Sequence, residues 1–186
     1  VSYGITPLVA QIHDHNEKND APSLLKNSLV INILISIVIF LIVIFMCQHL
    51  DLLGQKQLVV EEATPYLLII TMSVIPFMIF QTLRQFAEGL SFTKQAMYII
   101  IISNVINVVL NYIFIYGKIG FPQMGLQGAG IATLISRIVM VLLMILMVQK
   151  HSRMKLFVTN FWSSTISKIQ IVKLLKIGIP SGLQFS

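Results

Sequence analysis

Three asparagines, Asn104, Asn107 and Asn111, stand at i, i+3 and i+7 in a stretch otherwise made mostly of Ile, Val and Leu. On a helix these positions fall within about 60° of each other. Amides on one stripe cannot face an apolar solvent cheaply. They can bond to neighbouring helices, or their oxygens can wall a polar cavity that binds an ion or a substrate. Further along, Ala129, Thr133 and Arg137 repeat at i+4. Beside them Gly128, Ala132 and Ser136 make a stripe of small residues, of the kind that lets helices approach closely. The Thr133 hydroxyl can bond back to its own helix. Arg137 lies about 16 Å, at 1.5 Å per residue, from the end of its apolar run at Val148. A guanidinium so deep in lipid costs from about 3 to over 10 kcal/mol. It therefore calls for a partner. The acids Asp14, Glu17, Asp20, Asp51, Glu61, Glu62 and Glu88 all fall between apolar runs. The expected partner is a carboxylate from beyond this chain, or else carbonyls and water. Pro76, in the middle of another apolar run, deprives the Met72 carbonyl of its donor. Such a kink either lines a cavity, as in transporters, or serves packing alone.

Nothing comparable points to catalysis. His13, Asp14 and His15 have the right residue types for a metal, but the polar run around them (Asn16, Glu17, Lys18, Asn19, Asp20) reads as a solvated loop. The chain contains no Gly-rich phosphate loop, no Ser–His–Asp set and no metal-ligand spacing. We therefore expect neither an enzyme nor a metal site.

The elements that must carry these residues follow from composition. Of 186 residues, 56% are apolar and 11% are charged. Soluble domains carry about 25% charged residues, so a soluble enzyme domain is excluded. Disordered chains are poor in apolar residues and are excluded too. Cys47 is the single cysteine, which rules out a disulfide scaffold. The runs 29–46, 66–83, 96–116 and 126–148 approach or reach the roughly 20 residues a transmembrane helix needs. Partial runs occupy residues 1–12 and 177 onward. None alternates as a barrel strand would, and lipid leaves only helices otherwise. The expected fold is an all-α, polytopic transmembrane bundle, an internal piece of a longer protein.

Basic residues orient it. Connections 13–28, 84–95 and 149–176 hold Lys18, Lys26, Arg84, Lys94, Lys150, Arg153, Lys155, Lys168, Lys173 and Lys176. The alternate connections hold only Lys56 and Lys118. Positive charge stays in the cytoplasm, so the first set is cytoplasmic. The net charge of +6 is thereby a topology signal, and nucleic-acid binding is not expected. In the last connection Ile171, Leu174 and Leu175 fall on one side of a helical wheel and Lys168, Lys173 and Lys176 occupy a separate arc, just after Phe161 and Trp162. Ile169 and Val172 interrupt that arc. The pattern fits an interfacial amphipathic helix, or a plain linker.

Three stretches together resemble the multidrug and toxic compound extrusion (MATE) transporters, especially their bacterial branch. They are Leu83-Arg84-Gln85-Phe86-Ala87-Glu88-Gly89-Leu90-Ser91-Phe92-Thr93-Lys94, then Asn107 to Gly117, then Pro122 to Thr133. The approach Lys173 to Pro180 resembles that to the family's seventh helix, and Gly4 to Gln11 the end of its second. The resemblance implies twelve helices in two six-helix lobes around a central cavity. Residues 1–148 would supply most of the N-terminal lobe, 149–176 the cytoplasmic linker, and 177–186 the start of the next lobe. It implies export of small organic, often cationic, substrates, driven by inward proton or sodium movement, across a bacterial cytoplasmic (inner) membrane. No cofactor beyond that coupling ion is implied. Asn107, Asn111 and Thr133 match the family's polar positions, which pair with an acid on a first helix that this chain lacks. Some relatives carry Asp where Asn111 stands. An amide does not titrate, so Asn111 can only coordinate a cation or orient that acid. Rival functions are a flippase for lipid-linked oligosaccharides in the same superfamily, to which Arg137 lends weight, and a non-transporting membrane scaffold.

Overall fold

In the computed structural model the chain is a set of α-helices. The structure describes residues 5–14, 21–47, 57–151, 154–155, 161, 164, 170–172, 174 and 176. Among the described residues six helices follow in order: α1 (Ile5–Asp14), α2 (Ala21–Cys47), α3 (Gln57–Met72), α4 (Val74–Gly89), α5 (Thr93–Tyr116) and α6 (Gly125–Lys150). Among the described residues four stretches are long and apolar enough to cross a membrane: Ala21–Cys47, Val59–Gly89, Thr93–Tyr116 and Gly125–Lys150. Much of their apolar surface stays outward, including Leu41 and Phe45 on α2 and Val105 and Val108 on α5. Apolar residues inside and outside alike are what a lipid solvent permits.

The helices outrun the apolar runs. α2 starts at Ala21 instead of 29, and its Pro22 sits in the first turn, where an amide has no intrahelical partner. α3 starts at Gln57 instead of 66, so Glu61 and Glu62 are exposed helical residues, not loop residues. The stretch 84–95 is almost all helix, with only residues 90–92 turning. An apolar run measures what lipid covers, whereas a helix continues until the backbone is capped. Here the cap is Ser91, at φ 69°, while the Phe92 amide donates to the Ala87 carbonyl at 2.8 Å. That is the left-handed ending of a helix, usually given to glycine. α5 ends on the same device: Gly117 has φ 64° and the Lys118 amide reaches the Ile113 carbonyl at 2.9 Å.

The contacts divide into two compact units. One comprises Val1–Leu34, Met78–Ile99 and Leu142–Ser186. Its core holds Ile5, Val9, Leu25, Phe80, Phe86 and Met144. A Cβ on Gly89 would stand 2.7 Å from that of Val9, so α1 and α4 touch nearly backbone to backbone. Asn32, buried, donates to Thr82 Oγ1 at 2.7 Å, and Thr82 donates on to the Met78 carbonyl at 2.9 Å. Arg84 and Glu88 pair along α4 at 2.6 Å.

The segment after α6 is tied to α2 in this unit. Asn27 Nδ2 and Ser23 Oγ both donate to Gln170 Oε1, at 2.7 and 2.9 Å, and Lys26 Nζ donates to the Ser164 carbonyl at 2.7 Å. Leu174 is fully buried while Val172 and Lys176 are exposed. Residues 170–172, 174 and 176 are helical, and the segment is docked on protein by part-buried polar bonds as well as by Leu174. Lys168, Ile169, Lys173, Leu175, Trp162 and residues 177–186 lie outside the described residues, as does His15.

The other unit comprises Ile35–Phe77 and Ile100–Val141. Gly128, Ala132 and Ser136 are buried there. A Cβ on Gly128 would meet the Phe114 carbonyl carbon and oxygen at 2.8 Å, which closes the α5–α6 hairpin. A Cβ on Gly130 would meet Ile69 at 3.2 Å and Tyr66 at 3.4 Å, which sets α6 against α3.

Candidate functional site

α5 is an almost unbroken run of Ile, Val and Leu interrupted by polar residues. Among these the helix separates the buried from the exposed. Asn111 Nδ2 donates to Asn107 Oδ1 at 3.0 Å, so the i+4 spacing brings these two amides together. Asn104 is exposed and makes no hydrogen bond among the described residues. Its place on the buried line is taken by Ser103, fully buried, one i+4 step before Asn107. The polar line is thus Ser103, Asn107 and Asn111, not the asparagines alone. A lone serine in an isoleucine run was the available signal, and reading i, i+4, i+8 would have found it.

Two acceptors on that line are unspent. Ser103 Oγ and Asn111 Oδ1 are buried without a hydrogen-bond partner among the described residues. Buried polar atoms in proteins are nearly always partnered, so an orphan marks a place where something else binds or donates. A carbonyl oxygen of this kind can coordinate a small cation or accept from a protonated acid. Asn107 orients it, because its own oxygen is engaged by the Asn111 amide.

Thr133 donates to the Ala129 carbonyl at 2.9 Å, one turn back on α6. Its proton is spent within the helix, while its oxygen can still accept. No hydrogen bond links Thr133 or Arg137 to the amide pair among the described residues.

Arg137 sits at the interruption of the second long span. α3 ends at Met72, Ser73 is a turn residue, and α4 resumes at Val74. Pro76, the third residue of α4, has no amide to give the Met72 carbonyl. The backbone ladder reconnects around it: the Ser73 amide reaches the Ile69 carbonyl at 3.0 Å, and Phe77 reaches Ser73 at 3.3 Å. Ser73 Oγ donates to the Ile70 carbonyl at 2.6 Å and accepts from Arg137 Nη1 at 2.6 Å. The guanidinium carbon lies 4.9 Å from the Phe77 ring centroid, within cation–π range. The partner of Arg137 within the described residues is thus a hydroxyl and a ring, where a carboxylate or water and carbonyls were expected. Serine three residues before a proline inside a span was the overlooked signal, because a break leaves local groups free to accept.

Residues 1–113 match the family model described as MatE. The multidrug resistance protein NorM of Photobacterium profundum is 35% identical over 179 residues, covering 95% of this chain and 39% of that protein. A probable multidrug resistance protein NorM of Oceanobacillus iheyensis is 33% identical over 190 residues, covering 96% and 40%. Among solved structures, the inward-facing conformation of a multidrug resistance MATE family transporter of the MOP superfamily superposes with a TM-score of 0.85 at 22% identity, covering 98% of this chain and 40% of that one. A MOP superfamily transporter from Pyrococcus furiosus, described by the reverse polarity of its binding pocket, superposes at 0.82 with 22% identity, covering 98% and 39%. These structures share the fold. The chain spans about two fifths of the length of the relatives it matches.

Proposed function

This chain belongs to the MatE family, and on that premise we propose that the protein containing it exports small organic compounds, many of them cationic, by antiport against protons or sodium. The observation that carries this reading is the Asn107–Asn111 pair with its unspent Asn111 oxygen inside a membrane-crossing helix. The relatives' names, which speak of multidrug resistance, support the substrate class. Cation arrival at Asn111 Oδ1, or at an acid it orients, would favour one packing of the lobe over another. A ligand shifts such an equilibrium only by its differential affinity for the two states. Alternating access then follows from repeated loading and release. The setting is the cytoplasmic membrane of a bacterium, with residues 13–28, 84–95 and 149–176 on the cytoplasmic side.

The test is flux in proteoliposomes of the full-length protein, with ethidium as the organic cation and an imposed pH or sodium gradient. Gradient-driven movement is expected, and its absence under both gradients would overturn the reading. Asn111→Leu removes both the oxygen and the donor to Asn107. One lost hydrogen bond to a charged group, about 1.5–3 kcal/mol, predicts roughly a tenfold or larger fall in ion-coupled flux. Equal flux in the variant would remove Asn111 from the coupling site. The flippase reading rests on Arg137 alone. It predicts extraction of a lipid-linked pyrophosphate from liposomes and no ethidium movement.

A further inference from the structure

Within the unit that contains α1, a cavity of about 270 Å³ lies between α2, α4 and α6. Leu25 and Leu29 wall it on α2, Ile79 and Leu83 on α4, and Val148 on α6, with Phe161 from the segment after α6. Gln149 is the one polar residue on its wall among those described. Leu25, Leu83 and Val148 are buried, so packing within this chain sets the walls. Ile145 and Gln149, both on α6, are exposed and mark the opening. Pockets for drug-sized ligands run from about 300 to 1,000 Å³ and carry a few convergent polar groups. This cavity is smaller and nearly all aliphatic, which suits an unbranched hydrocarbon tail. At its rim stands a cation held in place. Lys26 lies on α2 between Leu25 and Leu29, and its Nζ donates to the Ser164 carbonyl at 2.7 Å. Ser164 Oγ in turn donates to the Phe161 carbonyl at 2.8 Å. The ammonium is thus fastened to the same short segment that supplies Phe161. Lys150 follows Gln149 at the end of α6.

We propose that this cavity seats one acyl chain of an anionic phospholipid from the cytoplasmic leaflet, with the lipid phosphate met by Lys26 and Lys150. Hydrocarbon gains little by leaving the bilayer for an apolar wall, since lipid tails are as apolar as leucine. Selection must therefore come from the headgroup, and charge decides its sign. Connections 13–28, 84–95 and 149–176 carry ten basic residues against four acids. Retention of positive charge in the cytoplasm already accounts for that total. It does not account for a lysine inside α2, anchored by its own hydrogen bond beside an apolar slot. Basic pockets between membrane helices at the cytoplasmic face are matched by anionic headgroups, which that leaflet supplies. A free phosphate has no tail to fill the cavity, and an organic cation would meet Lys26 with like charge. A lipid seated here bridges α2, α4 and the segment after α6, and so holds that segment against the helices.

The proposal needs the membrane setting but no transport, so it stands or falls apart from the export reading. Purified full-length protein in neutral detergent is titrated with equal amounts of phosphatidylglycerol and phosphatidylcholine of the same chains, and bound lipid is counted by native mass spectrometry. The unaltered protein is expected to retain phosphatidylglycerol over phosphatidylcholine by about tenfold or more. Each lysine near a headgroup contributes roughly fivefold, so Lys26→Gln should lower the ratio by about that factor. Lys94→Gln removes a charge from the same side of the chain, but from α5, which gives the cavity no wall among the described residues. It should leave the ratio within about twofold, because surface charge is screened. Ile145→Trp fills the opening with an indole at a position already exposed, so folding is spared and the ratio should fall close to one. Taking the ratio in one sample cancels any loss of folded protein. A ratio near one in the unaltered protein overturns the proposal. Equal losses for Lys26→Gln and Lys94→Gln overturn it too, in favour of diffuse surface charge. A ratio unmoved by Ile145→Trp overturns it by showing that the tail lies elsewhere and that the cavity belongs to another part of the longer chain.

Discussion

At the scale of single residues, the membrane makes every polar side chain account for its hydrogen bonds. Ser28, Thr64, Thr71, Thr133 and Ser136 do so within their own helix, each donating to a carbonyl four residues back at between 2.6 and 2.9 Å. Their presence says little about function. Asn32 is different, because it reaches a second helix at Thr82. Interhelical bonds in membranes average about 0.6 kcal/mol and reach about 1.7. A double-mutant cycle with Asn32→Leu and Thr82→Val should therefore give a coupling of that size in detergent unfolding of the full-length protein. A coupling near zero would mean that the unfolded chain in the micelle satisfies both groups equally well. The same bookkeeping explains what could be read in advance. Asn107 and Asn111 were legible because an amide in an aliphatic run has no self-contained solution. The Arg137 partner was not, because serine is common in spans and only the break at Ser73 turns its hydroxyl into an acceptor for another helix. That Asn104 is exposed while Ser103 is buried has a simple reason. A helical wheel gives relative angles, and which side is buried depends on neighbours the wheel does not contain.

At the scale of elements, close approach decides which glycines matter. Gly128 and Gly130 look alike in the sequence, two residues apart at the start of α6, yet they meet different obstacles. A Cβ at Gly128 runs into the Phe114 backbone at 2.8 Å, and backbone does not yield. A Cβ at Gly130 meets side-chain atoms of Ile69 at 3.2 and 3.3 Å, which can give by a few tenths of an ångström. Overpacking a tight contact costs about 1–3 kcal/mol. Gly128→Ala is expected in that range, and Gly130→Ala well below it, as a difference in thermal unfolding midpoint of the purified full-length protein. Equal shifts would mean that α5 and α6 separate freely at their hairpin. The small-residue stripe was legible as a packing surface, because spacing alone defines it. Its partners were not, since nothing in Gly128 specifies Phe114 and nothing in Gly130 specifies Ile69 and Tyr66. Helix ends were also underestimated, at Ala21 and Gln57 above all, because polar first turns continue a helix beyond the part that lipid covers.

At the scale of the whole molecule, direction is the property that charge and contact determine separately. The distribution of lysine and arginine predicts an orientation for the spans, since positive charge is retained in the cytoplasm. Contacts give a second constraint that uses no charge. In one unit Thr6 lies against Gln85, at 3.3 Å from its carbonyl, and Val9 against Gly89, so α1 and α4 advance in the same sense. In the other, Tyr66 and Ile69 lie against Gly130 and Ser73 against Arg137, so α3 and α6 do too. Alternation across a membrane demands both results. The expected orientation puts the α4–α5 turn in the cytoplasm and the α5–α6 loop outside. Thr93 and Gln123 are exposed residues beside these two turns, and neither contributes to the charge count. In a full-length protein with every native cysteine, Cys47 included, replaced by serine, Gln123→Cys should react with a membrane-impermeant maleimide on intact cells, and Thr93→Cys only after permeabilisation. The reverse pattern would leave the helix contacts intact but invert the molecule. It would then place Lys118 inside, and the far larger basic set at Lys150, Lys155 and Lys176 outside, against the rule that makes charge an orienting force. Reaction of both sites on intact cells would break the alternation itself, and with it the parallel pairing of α3 with α6 on which the geometry around Arg137 depends.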